Sequence, residues 1–182
     1  MTAMRTPLLR WSRWLGLGSA LAVLGGGQVA AGDGANLQEQ ATKAAMIYNF
    51  SRFTAWPDSR FGRPEDPVVV CIDPSDPLAP ILASVDGKSL GGRSLSVRRT
   101  VRVDRACNMA YVSAANANDG YLSSLKDRGV LTIGETPDFS RAGAIQLVTI
   151  GRQVRFEINQ TIAAAAGAHL SSNLLRLAVS VR

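Results

Sequence analysis

The sequence predicts an α/β protein, a three-layer sandwich on a mixed, mainly parallel sheet with an antiparallel hairpin at one edge. Strand and helix patterns alternate along most of the chain, as they do when helices connect parallel strands. From Gly143 onward, two strand patterns follow each other across a short glycine-containing turn, which is typical of a hairpin. The sheet is therefore expected to contain both strand directions.

The first 31 residues have the pattern of a signal peptide. Three arginines and no acid lie in the first thirteen residues, the residues 15–24 are apolar, and small residues at positions 29 and 31 fit a peptidase site. The apolar run is shorter than the roughly 18 residues of a membrane span. We therefore expect cleavage after Ala31, localisation in the periplasm and no stable membrane insertion. A single domain should cover residues 32–182, with residues 32–36 as a flexible lead-in.

The charge of the chain gives little indication of a nucleic-acid partner. Removal of the predicted signal peptide takes away three arginines, which lowers the net charge from +6 to +3. The remaining cationic cluster is Arg98, Arg99, Arg102 and Arg105, and no aromatic residue is interleaved with it. We interpret it as a charged edge strand and expect no nucleic-acid binding.

Residues 41–57 predict the first helix of the domain, which should end at Pro57 because proline disfavours helical structure in the residue before it. Its apolar residues form two stripes at about 100° per residue. One stripe consists of Met46, Ile47, Phe50 and Phe53. The second consists of Leu37, Ala41, Ala44 and Tyr48. The first should pack on the sheet, and the second should meet either another part of the core or a second copy of the chain in a homodimer.

The remaining elements follow from apolar periodicity and turn residues. The predicted strands cover residues 68–72, 95–103, 109–112, 130–133, 144–150 and 153–159. The predicted helices cover residues 78–85, 119–126 and 161–168, and a last one begins at Ser171. The run VVVCI lacks alternation, which indicates a strand covered on both faces.

Several segments in this order resemble one known family. They are ATKAAMIYNFSRFTAWP, VVVCIDPSDPL, GKSLGGRSLSVRR, CNMAYVS, VRFEINQ and HLSSNLLRLA. Together they are similar to the YfiR family of bacterial periplasmic regulators, with Asn108 where members often have histidine. The resemblance implies a small repressor that binds the periplasmic part of an inner-membrane diguanylate cyclase and limits cyclic-di-GMP and biofilm formation. It also favours the homodimer.

The residues themselves suggest no enzyme, cofactor or metal. His169 is the only histidine, and a catalytic triad would have to pair it with serines of its own helix start. In GKSLGGR the lysine and serine precede the double glycine, the reverse of a phosphate loop, so we interpret this segment as a turn. Asp73 and Asp76 follow a buried strand, where α/β proteins often bind ligands. The alternative function is therefore a periplasmic small-molecule sensor or carrier.

Cys71 and Cys107 are expected to form a disulfide, because an even pair in an oxidising compartment usually does. Cys71 lies in the first buried strand. Cys107 lies just ahead of the next apolar strand, which is expected to lie beside the strand of Cys71. If the two parallel strands start level, Cys107 falls several residues short of Cys71. A bridge requires a Cα separation below about 7 Å.

The strand VRFEINQ predicts a docking surface for the repressed partner. Its alternation places Val154, Phe156 and Ile158 toward the core and the residues between them toward solvent. The predicted partner-binding residues are Arg155, Glu157, Asn159, His169, Asn173, Arg176 and Leu177. Alternatively, the leucines of the last helix all pack inward, and Glu157 merely pairs with Arg155 or a neighbouring strand.

Overall fold

The computed structural model describes residues 31–182, so the predicted signal peptide lies outside the described residues except for Ala31. The α-helices are Ala31–Arg52 (α1), Ala79–Leu82 (α2), Asp119–Asp127 (α3), Gln160–Ala165 (α4) and Ser172–Leu177 (α5). The strands are Thr54–Ala55 (β1), Val68–Ile72 (β2), Leu95–Arg99 (β3), Met109–Tyr111 (β4), Leu131–Gly134 (β5), Ile145–Ile150 (β6), Gln153–Ile158 (β7), His169–Leu170 (β8) and Ser180–Val181 (β9).

The main sheet has seven strands in the order β3-β2-β4-β5-β6-β7-β9. Strands β3, β2, β4, β5 and β6 are parallel, β7 is antiparallel to β6, and β9 runs parallel to β7. The predicted mixed, mainly parallel sheet with an antiparallel hairpin is confirmed. A second, two-stranded sheet pairs β1 with β8.

Residues alternate between the two faces of the main sheet, as the pleat requires. On the first face, Val70, Ile72, Met109, Tyr111 and Phe156 join one apolar cluster with residues of α1 and α2. The second face carries a smaller cluster, formed with the buried leucines of α3. The helices therefore cover the sheet from both sides, which is the predicted three-layer arrangement.

Helix α1 differs from its prediction at both ends. It begins at Ala31, so the expected flexible lead-in over residues 32–36 is wrong. Once a helix has formed, each further residue that becomes helical adds one backbone hydrogen bond. The ion pair between Glu39 and Lys43 stabilises the turns that follow. The helix ends at Arg52, where the chain turns into β1 and the Thr54 hydroxyl donates to the Phe50 carbonyl over 2.7 Å.

Two short pairings at the end of the chain were not predicted. Strand β9 adds to the β7 side of the hairpin, where the Val179 amide donates to the Phe156 carbonyl over 2.9 Å. The Ser171 amide likewise donates to the Phe53 carbonyl over 2.9 Å, beside the β1–β8 pair. Along part of β7, the edge strand of the sheet is therefore β9 and not the hairpin.

Candidate functional site

The end of the chain presents an exposed aliphatic strip. Leu177, Val179 and Val181 are 60%, 41% and 44% exposed, which makes them three of the six large apolar side chains exposed in residues 31–182. Val181 lies in β9, and Val179 lies just ahead of that strand. We call Leu177, Val179 and Val181 the C-terminal strip. Such concentrated apolar exposure is typical of a protein-binding surface.

The three predicted partner-binding residues of β7 have different environments. Arg155 is exposed, as expected. The side chain of Glu157 is 25% exposed and accepts hydrogen bonds from Ser140 Oγ at 3.2 Å and Arg182 Nη2 at 3.1 Å. Asn159 is buried, because its Oδ1 caps α4 and its Nδ2 donates to the Ser140 carbonyl. The expectation that Asn159 faces solvent is wrong.

The remaining predicted partner-binding residues lie on β8 and α5. His169, Asn173, Arg176 and Leu177 are all exposed, while Leu174 is buried in the core. The Arg176 guanidinium donates to Asn173 Oδ1 on the same helix. The alternative in which all three leucines of α5 pack inward therefore does not hold for Leu177. Arginines on both sides of the C-terminal strip, Arg176 and Arg182, give this surface a basic character.

The second predicted stripe of α1 is divided between core and solvent. Leu37 is 58% exposed and Ala41 is exposed, whereas Ala44 is 2% exposed and belongs to the first-face cluster. Tyr48 is half-buried and its hydroxyl donates to the Ser89 carbonyl over 2.8 Å. Only the first half of this stripe is thus available for a second copy of the chain.

An ionic network centred on the buried Lys43 joins α1 to the carboxyl ends of β4 and β5. The Lys43 ammonium lies 2.8 Å from Glu39 Oε1 and 2.5 Å from Glu135 Oε2, and the Tyr111 hydroxyl donates to Glu135 Oε1 over 2.8 Å. Burial alone lowers the pKa of Lys43, but the hydrogen bonds and charges of Glu135 and Glu39 outweigh it and raise this pKa. Burial and the Glu135 carboxylate raise the pKa of Tyr111. The network fixes α1 on the sheet.

The two predicted ligand-binding carboxylates at the end of β2 stabilise their own turn. Asp73 Oδ1 accepts hydrogen bonds from the amide and hydroxyl of Ser75, which lower the pKa of Asp73. Asp76 Oδ1 accepts from the Leu78 amide over 2.9 Å. Beside Asp73 lies a crevice of about 10 Å³, which is about the space of one water molecule. This geometry gives no support to a small-molecule site at Asp73.

Cys71 and Cys107 form the predicted disulfide, with a Cα separation of 5.8 Å. The β2–β4 register sets Cys71 beside Ala110, so a straight strand would keep the two cysteines apart. A turn closed by the Cys107 amide and the Asp104 carbonyl bends the chain ahead of β4 and brings Cys107 into the second-face cluster. The guanidinium of Arg98 contacts both sulfur atoms and Asp104 Oδ1.

Residues 31–182 contain no group of three or more His, Cys, Asp or Glu side chains placed to hold a metal ion. No helix in this range has the length and hydropathy required to span a membrane.

The C-terminal strip contains two residues that the sequence interpretation missed. Val179 and Val181 alternate with Ala178 and Ser180, which is a strand pattern, but the run is too short to separate it from a frayed helix end. The Glu39–Lys43 spacing was visible as a helical ion pair. The third residue of this network, Glu135, is 92 residues away from Lys43 in the sequence, so no local pattern predicts their contact.

The structure first defines the chain as a small α/β sandwich protein with an exposed aliphatic and basic surface at its end. Its family is shown by a family model: the chain belongs to the YfiR/HmsC-like family, whose model matches residues 40–179. The matched range begins within α1 and includes β1 to β8, so it covers the sandwich almost completely.

One similar solved structure is described as a conserved domain protein from Vibrio cholerae O1 biovar El Tor strain N16961. The sequence identity is 13% and the TM-score is 0.47. The similarity covers 79% of this chain and 60% of that one, so the chain spans less than two thirds of that protein's length. No curated protein matches the chain.

Proposed function

We propose that this protein is a periplasmic regulator that binds the periplasmic part of an inner-membrane diguanylate cyclase and represses it. Repression would limit cyclic-di-GMP and biofilm formation. Membership of the YfiR/HmsC-like family over residues 40–179 is the observation that supports this role. In this proposal residues 1–31 are an export signal, and residues 32–182 act as one non-catalytic binding domain.

The C-terminal strip is the proposed docking surface. Three exposed aliphatic side chains within five residues provide apolar area that a partner can bury, which is where binding free energy is usually concentrated. Within residues 31–182, strand β9 is an edge strand of the main sheet, so its outer side offers backbone hydrogen-bonding groups. The partner segment should therefore be apolar at its centre.

Charge sets the second requirement on the partner. Arg155 and Arg176 are exposed near the strip, and Arg182 is half-exposed although it pairs with Glu157. Opposite charges across an interface accelerate association and reject wrong partners. We therefore expect acidic residues around the apolar centre of the partner surface.

Leu177→Glu tests the docking surface directly. Since Leu177 is 60% exposed, the variant should fold normally and accumulate like the wild type, yet fail to repress the cyclase. Cyclic-di-GMP should rise to the level of a strain lacking the gene, and the periplasmic part of the cyclase should no longer co-purify. Ile150→Glu is the matched control, because Ile150 is 56% exposed at the far end of the hairpin and should keep repression.

The outcomes distinguish an error in the proposed docking surface from an error in the proposed regulatory function. If Leu177→Glu accumulates and represses as well as Ile150→Glu, the partner binds elsewhere on the domain. If deletion of the gene leaves cyclic-di-GMP unchanged, the regulatory function itself is wrong. Glu157→Lys is a less selective test, because it also removes the contacts of Glu157 with Ser140 and Arg182.

We also propose a homodimer that uses the exposed part of the second α1 stripe, Leu37 and Ala41. Light scattering at micromolar concentration should give twice the mass of one chain, and Leu37→Glu should halve it. Gln38→Glu is a matched control, because it adds the same charge about 100° around the helix. A single-chain mass for the wild type would contradict the dimer.

A further inference from the structure

The chain between β3 and β4 forms a basic loop on the second face of the sheet. Strand β2 lies between β3 and β4, so this segment has to cross β2. Val103 belongs to the second-face cluster, which places the crossing on that face. Strand β3 ends at Arg99, so Arg102 and Arg105 lie in the crossing and not on the edge strand inferred from the sequence. We call residues 99–105 the basic loop.

Contacts with the rest of the domain hold the backbone of the basic loop in place. The Arg128 guanidinium donates to the Val103 carbonyl over 2.9 Å. The Arg98 guanidinium donates to Asp104 Oδ1 over 2.6 Å. The disulfide at Cys107 fixes the chain directly after the loop. A partner that binds here therefore meets a preorganised backbone, and little conformational entropy is lost on binding.

Three arginines of the basic loop have no partner in the described part of the chain. Arg99, Arg102 and Arg105 are exposed, and their side chains form neither an ion pair nor a hydrogen bond there. The carboxylate within the loop, Asp104, is paired with Arg98 instead. We call Arg99, Arg102 and Arg105 the loop arginines. Their guanidinium groups are available to bind anions from outside the chain.

The surroundings of the loop are also mainly positive. Arg60 lies near Arg105, since burial lowers the pKa of Arg60 and the charge of Arg105 lowers it further. Arg128 is exposed next to the loop that it holds. Asp73 borders the other end of the loop, but its Oδ1 accepts hydrogen bonds from Ser75. A surface with this excess of positive charge attracts a partner with many negative charges.

An exposed aliphatic side chain lies among the loop arginines. Val101 is 77% exposed, which is the highest value among the six large apolar side chains exposed in residues 31–182. A soluble polyanion would bind the arginines but would leave this valine in water. The loop also contains no aromatic residue on which a nucleic-acid base could stack. The partner should therefore present negative charge and apolar groups together.

The shape of the surface favours a bilayer over a protein. Protein interfaces usually concentrate their binding free energy where a side chain fills a pocket. The crevice beside Val101 has a volume of only about 10 Å³, so it accepts no side chain. A bilayer surface needs no pocket, because its phosphate groups lie in a layer directly above the acyl chains.

We propose that the basic loop makes a reversible contact with the anionic phospholipids of a bilayer surface. The loop arginines pair with phosphate groups, and Val101 reaches the boundary between headgroups and acyl chains. The loop follows β3, whereas the C-terminal strip includes β9 at the other edge of the seven-stranded sheet, about 30 Å away. A bound bilayer therefore leaves the C-terminal strip accessible. This contact goes beyond the proposed regulatory function and does not rest on it.

Co-sedimentation with lipid vesicles tests the contact, with the protein purified after export. Vesicles of phosphatidylcholine with about 30% phosphatidylglycerol should bind half of the protein at about 1 mM lipid, because each arginine near an anionic surface raises the affinity about fivefold. Vesicles of phosphatidylcholine alone should bind at least about tenfold more weakly. Raising the salt concentration from about 50 mM to about 300 mM should weaken binding to the anionic vesicles at least about fivefold.

The charge requirement is tested by two double variants with the same net charge. Arg99→Gln with Arg105→Gln should weaken binding to the anionic vesicles at least about tenfold. Arg52→Gln with Arg152→Gln removes two exposed arginines outside the loop and should weaken it less than about twofold. Since all four side chains are exposed, both variants should melt within about 2 °C of the wild type.

The apolar requirement is tested by Val101→Ser. This variant keeps every charge and should weaken binding to the anionic vesicles about threefold to tenfold, because the valine no longer enters the boundary region. Ile150→Ser is the matched control, since Ile150 is 56% exposed in β6, four strands away from β3. It should bind like the wild type.

Three results would overturn the proposal. The first is equal binding to anionic and neutral vesicles, and the second is an equal loss in the two double variants. The third is a loss in Arg99→Gln with Arg105→Gln while Val101→Ser binds as tightly as Ile150→Ser. In that case the basic loop binds a soluble polyanion or an acidic protein, and a bilayer is not its partner.

Discussion

The two faces of the sheet are stabilised in different ways. The cluster on the first face contains 25 buried residues and is covered by α1 and α2, whereas the cluster on the second face contains nine, two of them the disulfide cysteines. Apolar burial contributes roughly in proportion to the area removed from water. The first face therefore depends on packing, and the smaller second face depends in addition on a covalent link.

The two faces also differ in where polar side chains replace apolar ones. Beyond the second-face cluster, β6 and β7 present Gln146, Arg155 and Glu157 rather than apolar side chains. Gln146 and Glu157 are held by Ser140, while Arg155 is exposed. The second face is therefore apolar only in part, and its polar residues either bond to Ser140 or lie in solvent.

The largest expected effect is on the first face. Phe50 is 1% exposed, and its ring packs edge-to-face on Phe156 with centroids 5.0 Å apart. Phe50→Ala should lower the free energy of unfolding by about 3–5 kcal/mol, measured by urea titration. Gln38→Ala, on the exposed part of the same helix and outside the proposed dimer stripe, should change it by under about 0.5 kcal/mol. Equal losses in the two variants would mean that α1 is not held by packing.

The second face should lose nearly as much when its covalent link is removed. The disulfide encloses a loop with a sequence separation of 36 residues, so replacing both cysteines by alanine should cost about 2–5 kcal/mol. Reduction of the wild-type protein should reproduce most of this loss in the same titration. The prediction fails if thiol titration of the denatured, unreduced protein finds two free cysteines.

Two helix caps should give a smaller effect. Asn118 Oδ1 accepts from the Tyr121 amide at the start of α3, and Asn118→Ala should cost about 0.5–2 kcal/mol. Asn159 caps α4 in the same way but is buried and also donates to the Ser140 carbonyl. Asn159→Ala should therefore cost more than Asn118→Ala in thermal or urea unfolding. The reverse order would show that the Ser140 contact contributes nothing.

The smallest expected effect on the free energy of unfolding is one that depends on pH. Burial, together with the charges of Glu135 and Asp73, raises the pKa of Asp76 above its usual 3.8. The folded state then binds this proton more tightly than the unfolded state, so the contribution is present below pH 3.8 and is lost as the pH rises through the folded pKa. Asp76→Asn keeps the acceptor for Leu78 and should raise stability slightly at pH 7.

The control for Asp76→Asn is the same comparison in acid. At about pH 3 the wild-type carboxyl is already protonated in both states, so the two proteins should unfold at the same denaturant concentration. A stabilisation that persists unchanged at that pH would assign the effect to packing rather than to charge.

Much of the first-face packing could be predicted because its signal is local. The run 68–72 was predicted with its observed bounds, and the alternation in 153–158 gave the inward orientation of Val154, Phe156 and Ile158. The pairing of Cys71 with Cys107 followed from there being only two cysteines. The bend that allows this disulfide could not be predicted from the two cysteines, because the bend depends on a turn ahead of β4.

The candidate surface was predicted less completely. Arg155 and Leu177 lie in solvent as expected, but Asn159 is buried because the start of α4 needs a cap and the Ser140 carbonyl needs a donor. Val179 and Val181 were missed because β9 has only two residues, Ser180 and Val181, and so short a strand shows no period.

By itself the sequence determined the fold class, the central strands, the hairpin, the disulfide partners and the resemblance to the family. These depend on apolar periodicity, turn residues and residue types that neighbouring positions reveal. The tertiary structure alone decided where α1 begins and ends, which part of its second stripe is buried, the β1–β8 and β7–β9 pairings, and the contact of Lys43 with Glu135. In each of these cases the interacting residues are distant from each other in the sequence, so no local sequence pattern predicts the interaction.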